Sequence, residues 1–200
     1  MKMSLIVTAL TAAGLLVSPA SAAMIGTFVD ATAANTTALD GSVAISSDSA
    51  DQYNGLWWER NGWGQDDTSI LEGRRVDPID LKTVITGLIA DQEYDIYVLY
   101  SGWSLSASPK AGLTAGSLAP ASDSTVLNIT GDDGYSDFGI IEALIGRTTA
   151  DGAGEIVVYL DGASATARTW YDGVSYAAVP EPATLGLLAL GAMALLGRRR

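Results

Sequence analysis

Residues 94–100 set the first constraint on the fold. Tyr94, Ile96, Val98 and Tyr100 recur at every second position, with Asp95, Tyr97 and Leu99 between them. A period of two belongs to an extended strand, whose side chains point alternately to its two faces. The same habit appears at Leu81, Thr83 and Ile85 just upstream, with Gly87-Leu88 and Ala90-Asp91-Gln92 forming the link between the two runs. Further short runs read as strands at Ile25–Asp30, Ser42–Ser46, Leu56–Arg60, Thr68–Leu71, Thr125–Thr130, Phe138–Ile145, Glu155–Leu160 and Arg168–Tyr176. No amphipathic helix pattern interrupts them.

The punctuation between these runs is Asp-Gly or Gly-rich, at Asp40-Gly41, Asp133-Gly134, Asp151-Gly152, Asp161-Gly162 and Asp172-Gly173. Glycine takes the positive φ values that tight reversals need, and the aspartate side chain accepts from nearby backbone N–H groups. About ten short strands so punctuated predict an all-β body, a single β-sandwich of jelly-roll type. The stretch Ile85-Thr86-Gly87-Leu88 leading to Glu93-Tyr94-Asp95-Ile96-Tyr97-Val98 resembles the strand-turn-strand of fibronectin-type and galactose-binding-like sandwiches, and that resemblance implies a fold and no function. Between Ser101 and Asp123 lies a long stretch of Ser, Ala, Gly, Leu and Pro with no periodicity, read as an irregular mobile rim.

The two ends of the chain have a different character. Lys2 precedes an apolar run from Leu5 to Val17, and Ala20-Ser21-Ala22 offers small residues for cleavage, so residues 1–22 read as a secretory signal peptide. At the other end, Val179-Pro180-Glu181-Pro182 is followed by an uncharged run from Ala183 to Gly197 and then Arg198-Arg199-Arg200. The prolines keep the first segment extended. As a helix the apolar run would rise only about 22 Å against a hydrocarbon core of roughly 30 Å, a short and marginal transmembrane helix with arginines held on the cytoplasmic side. A plain permanent anchor is the simpler alternative. Residues 179–200 resemble the PEP-CTERM sorting signal: a Pro-Glu-Pro motif, a transmembrane helix and a basic tail. That resemblance implies a bacterial host and an exosortase, a membrane-embedded transpeptidase that cuts near Pro180–Pro182. It makes Val179, Pro180, Glu181, Pro182, Arg198, Arg199 and Arg200 the sorting and processing residues, and it implies a body sorted to the cell surface, in or near an extracellular polysaccharide matrix. Residues 23–178 are then one exported domain.

Composition narrows the chemistry of that domain. The net charge is −12, and four of the 11 basic residues lie in the two ends, so the body is more acidic than the chain. Such a surface repels nucleic acid and anionic lipid. There is no histidine and no cysteine, which removes disulfides, Ser-His-Asp and Cys-His nucleophile systems, and imidazole or thiolate metal sites. With the matrix location that the PEP-CTERM resemblance implies, a structural or adhesive role without enzymatic activity is the expectation.

Three side-chain groups stay as candidates beside simpler readings. All five tryptophans, Trp57, Trp58, Trp63, Trp103 and Trp170, lie in the body. On a strand Trp57 and Trp58 must face opposite ways, one of them inward. Trp63, in the turn-like Asn61-Gly62-Trp63-Gly64, and Trp103, opening the long stretch, are the better placed to stack on a sugar ring, although core packing is the commoner use of indole. Asp132, Asp133 and Asp137, and separately Asp66-Asp67 near Glu72, carry oxygen donors suited to calcium, yet Asp-Gly turns need no metal. No cofactor is expected beyond that calcium alternative. Glu59, Glu72, Glu142 and Glu155 could supply a glycosidase pair, but no spacing singles out two of them.

Overall fold

The computed structural model describes residues 24–65, 68–74, 79–101, 108–121, 125–128, 139–162 and 168–180. Residues 1–22, read as a signal peptide, and residues 181–200, with the expected transmembrane helix, lie outside these. Among the described residues the chain is all-β, thirteen strands and a single 3-10 turn at Asp51–Tyr53, and no helix is long and apolar enough to cross a membrane.

The strands are β1 (Thr27–Asp30), β2 (Thr36–Ala38), β3 (Ile45–Ser46), β4 (Trp57–Asn61), β5 (Ser69–Arg74), β6 (Leu81–Ile85), β7 (Glu93–Ser101), β8 (Lys110–Gly112), β9 (Ala119–Pro120), β10 (Thr125–Asn128), β11 (Gly139–Thr149), β12 (Ile156–Asp161) and β13 (Arg168–Ala178). They form two sheets. The larger has the order β10-β11-β7-β13-β5-β4-β3, with β1 also on β13, and the smaller has the order β2-β6-β12-β8-β9. All pairs are antiparallel except β3 with β4.

The main core lies between the sheets. Trp57, Leu71, Ile96, Val98, Tyr100, Ala143, Tyr171 and Val174 of the large sheet meet Leu81, Ile85, Ala111, Ile156, Val158 and Leu160 of the small one. The alternation of β7 therefore puts Tyr94, Ile96, Val98 and Tyr100 inward, and Trp57 is the buried member of its tryptophan pair. One polar thread crosses this core: the hydroxyls of Thr36 and Thr83 lie 2.9 Å apart, and those of Thr83 and Tyr171 2.8 Å apart. Burial pushes the Tyr171 phenol up, well above the ordinary tyrosine value.

Several expectations change. The runs Leu81–Ile85 and Tyr94–Tyr100 are consecutive strands but not partners. β6 belongs to the small sheet and β7 to the large one, so the link through Gly87 and Asp91 is a crossover at one end of the sandwich. Asp172-Gly173 is no turn. It sits inside β13, where the register shifts between Tyr171 and Gly173 and Asp172 is the extra residue of a bulge. A Cβ at Gly173 would overlap the Val29 carbonyl of β1, so only glycine lets the two backbones approach. The stretch after Ser101 is not wholly irregular. Its described part contains β8 and β9, which extend the small sheet, and the hydroxyl of Tyr100 donates to the Ala121 carbonyl behind them. These pieces and β2 escaped the pattern because strands of two or three residues are too short to display a period.

Candidate functional site

Strand β13 positions the point where the tail leaves. It runs between β7 on one side and, on the other, β5 along its first half and β1 along its second. Its last pair is Ala178 opposite Tyr94. Val179 continues the ladder by one residue: its N–H donates to the Glu93 carbonyl at 2.9 Å, and its carbonyl accepts from the Gln92 side-chain amide at 2.8 Å. The same Gln92 amide donates to the Glu93 carbonyl at 3.0 Å. Pro180, exposed, follows at once. Of the predicted sorting residues, Val179 and Pro180 are thus placed at the sandwich end, while Glu181, Pro182, Arg198, Arg199 and Arg200 lie outside the described residues. The turn that holds Val179 is itself well fixed. Ala150 and Gln92 bond through N–H to carbonyl at 3.0 Å, Asp91 N–H reaches the Ala150 carbonyl at 3.1 Å, and the Tyr94 hydroxyl accepts from Ile89 N–H at 3.0 Å. Thr27 of β1 lies opposite Tyr176, so the first described strand starts at the end where the last one finishes.

A second cluster covers the outer face of the large sheet, the face turned away from the small one. Ile70, Leu99, Ile140 and Trp170 form a small apolar group there, with Met24, Phe28 and Trp63 laid over it. Trp63 comes from the turn after β4. Its ring meets Trp170 edge-on with centroids 5.6 Å apart, and the Arg60 guanidinium lies over it, 3.2 Å from the ring centre. Arg60 also sits 5.3 Å from the Trp58 ring and reaches Glu72 at 3.4 Å. The cation thus neutralises a fully buried carboxylate and stacks on half-buried indoles. Trp63, predicted as an exposed platform, is half-buried with one ring face taken by the guanidinium. The other predicted sugar contact, Trp103, lies outside the described residues.

Two fully buried glutamates share this face. Glu72 stands opposite Trp58 and Trp170. Glu142 stands opposite Leu99 and accepts from the Ser175 hydroxyl and from Ile25 N–H at 2.9 Å. Three strand spacings separate β5 from β11, about 14 Å of lateral distance. The carboxyl pair of a glycosidase needs at most about 9.5 Å. Glu59 faces the opposite way, opposite Leu71, and Glu155 lies on the small-sheet side, before β12. No two of the four candidate glutamates are brought together on one face at catalytic separation.

Two more carboxylates lie where β1 gives way to β5 along β13. Asp172, fully buried at the bulge, accepts from Gln65 N–H at 3.1 Å, and its own carbonyl accepts from Ala31 N–H at 3.0 Å. Asp30 is contacted by the Ser69 hydroxyl at 3.4 Å. Burial, helped by the negative charge of Glu59 and opposed by the Ser69 bonds, pushes the Asp30 carboxyl up to about 6 from an ordinary 3.8. Neither residue was visible in sequence as part of a site, since an Asp-Gly pair and a strand-terminal aspartate both look like turn chemistry. Among the described residues no group of three or more acidic side chains is arranged to hold a metal. The predicted calcium residues Asp132, Asp133 and Asp137, and Asp66-Asp67, lie outside them.

Two comparisons with known proteins bear on this arrangement. Residues 178–200 match the PEP-CTERM protein-sorting motif, so the chain carries the tail of a PEP-CTERM protein, an address for export, membrane-anchored transit and processing by an exosortase, a membrane enzyme. No curated protein matches the chain, and its body carries no assignment from a relative.

Proposed function

We propose that this is an exported bacterial protein whose acidic β-sandwich, freed of an N-terminal signal peptide at 1–22 and handed by its tail to an exosortase, serves as a structural or adhesive component of an extracellular polysaccharide matrix. The observation that carries the reading is the sorting motif at 178–200, starting where the last strand of a folded body ends. A sandwich held without disulfides, since the chain has no cysteine, suits a location where the chain meets solvent and other polymers. In transit the apolar run from Ala183 to Gly197 acts as a short membrane helix, with Arg198–Arg200 on the cytoplasmic side. Afterwards the body resides at the cell surface or beyond it, and its two sheets are those of a jelly-roll or galactose-binding-like sandwich. The reading assigns no enzymatic activity and no cofactor beyond the calcium alternative.

Mass spectrometry of the protein from its own host tests the delivery. The expected product starts at Ala23 and lacks Arg198–Arg200. Recovery of full-length chain from cytosol would refute the proposal. The matrix role predicts that the mature body co-purifies with extracellular polysaccharide and is released when that polysaccharide is digested.

A second reading, a carbohydrate-binding module, draws on one observation: Trp58 and Trp63 are half-buried indoles fixed in place by Arg60 and Trp170, and a rigid aromatic surface stacks on sugar at low entropic cost. Glycan-array binding lost in a Trp63→Ala, Trp103→Ala double variant would favour it over a purely structural role.

A further inference from the structure

The last strand of the body runs into the sorting motif, which matches from residue 178. Val179 is fastened through both of its backbone groups, by the Glu93 carbonyl and the Gln92 amide, and the Pro-Glu-Pro triplet begins at the next residue, Pro180. The apolar run opens at Ala183, three residues on, and three residues span at most about 11 Å. An enzyme at the membrane that cuts within Pro180–Pro182 therefore works against the wall of the folded domain. To hold the residue preceding the motif in an extended cleft it must make backbone hydrogen bonds of its own, and at Val179 both partners are already taken.

We propose that Gln92 is a positioning residue for tail processing: its side chain latches Val179 to the sheet, and the processing transpeptidase gains the bond only from molecules in which Val179 has peeled away. The inference rests on the sorting role argued above. The competent state is then a minor one, and the apparent rate falls by the fraction of molecules occupying it. Only the last ladder step has to open. Ala178 is exposed, and strand ends are where local opening is easiest, so the body stays folded throughout. Gln92 is partly exposed and sits on a turn independently held by Ala150 and Tyr94, so its side chain can be changed without disturbing the turn.

The test compares full-length wild type, Gln92→Ala and a variant with six Gly-Ser residues inserted between Val179 and Pro180, each followed by pulse-chase and mass spectrometry in a host containing an exosortase. Losing one hydrogen bond from the latch should speed tail removal about fivefold. The insertion leaves the latch intact but moves the motif clear of the body, and should speed removal at least as much. Both variants should keep the thermal midpoint of the purified body within a few degrees of wild type, separating the latch from a loss of stability. Tail removal at equal or slower rates in both variants would overturn the latch while leaving the sorting role standing. Tails kept by all three proteins would overturn the sorting role, and the latch with it.

Discussion

The two faces of the large sheet are built on different rules. The inner face is apolar side chains from β4, β5, β7, β11 and β13 against the small sheet, crossed by the hydroxyl thread of Thr36, Thr83 and Tyr171. The outer face buries two glutamates, a serine and Trp170 under a thin cover supplied by residues 24–28 and the turn carrying the arginine-stacked Trp63. The inner face depends on volume and the outer on pairing. Buried charge stabilises little by itself, but losing one partner leaves the other exposed to the full desolvation cost.

The largest effect should come from the inner face. Trp57, fully buried and donating its indole N–H to the Ile79 carbonyl at 2.8 Å, should cost about 3–5 kcal/mol on replacement by alanine, read from urea unfolding. A cost near 1 kcal/mol would mean that the core collapses around the gap and the distinction between the faces is smaller than drawn. On the outer face, Arg60→Ala removes both the cation beside Glu72 and the lid on Trp63. About 2 kcal/mol is expected, less than for a deeply buried pair because Arg60 is itself partly exposed. Arg60→Lys should recover less than half, since an ammonium cannot stack as a guanidinium does. Ser175→Ala takes a donor from the buried Glu142 carboxylate and should cost about 1–2 kcal/mol. If instead it were neutral, the outer glutamate would be satisfied by other groups and the pairing rule would weaken.

The smallest effect is a pH dependence from the junction of β1 and β5. Asp30 has a folded pKa of about 6 against 3.8, so between these values the folded protein binds the proton more tightly than the unfolded chain. Its contribution to stability is therefore greatest below about pH 4 and declines as pH rises toward 6. Asp30 is half-buried, and solvent screening reduces the effect to about 1 kcal/mol. Asp30→Asn should raise stability at pH 7 by that amount and flatten the dependence between pH 4 and 6. A variant that is less stable than wild type at pH 7 would show that the carboxylate is doing structural duty instead.

Part of this molecule was legible in the sequence because strands such as β6, β7 and β12 show a period of two. In β7 the shared face of Tyr94, Ile96, Val98 and Tyr100 could be read directly, though not that it points inward, and adjacent Trp57 and Trp58 had to divide between faces. The outer cluster was less legible. Arg60 and Trp63 are three residues apart, but their stacking requires the turn after β4 to fold back, and their union with Trp170 requires β13 to lie beside β5. No local pattern encodes that adjacency. Glu72 and Glu142 read as solvated carboxylates for the same reason, since the partners that allow their burial come from distant segments.

The sequence by itself determined what depends on neighbours along the chain: the period of the longer strands, the absence of histidine and cysteine chemistry, and the address read at residues 179–200, which the match to residues 178–200 bears out. Only the tertiary structure decided what depends on neighbours in space. It placed β6 and β7 in different sheets, turned Asp172-Gly173 into a bulge rather than a turn, and fastened Val179 to Gln92 across 87 positions of sequence. Alternation is fixed by the geometry of one strand, whereas pairing is chosen among all strands at once by the burial it permits.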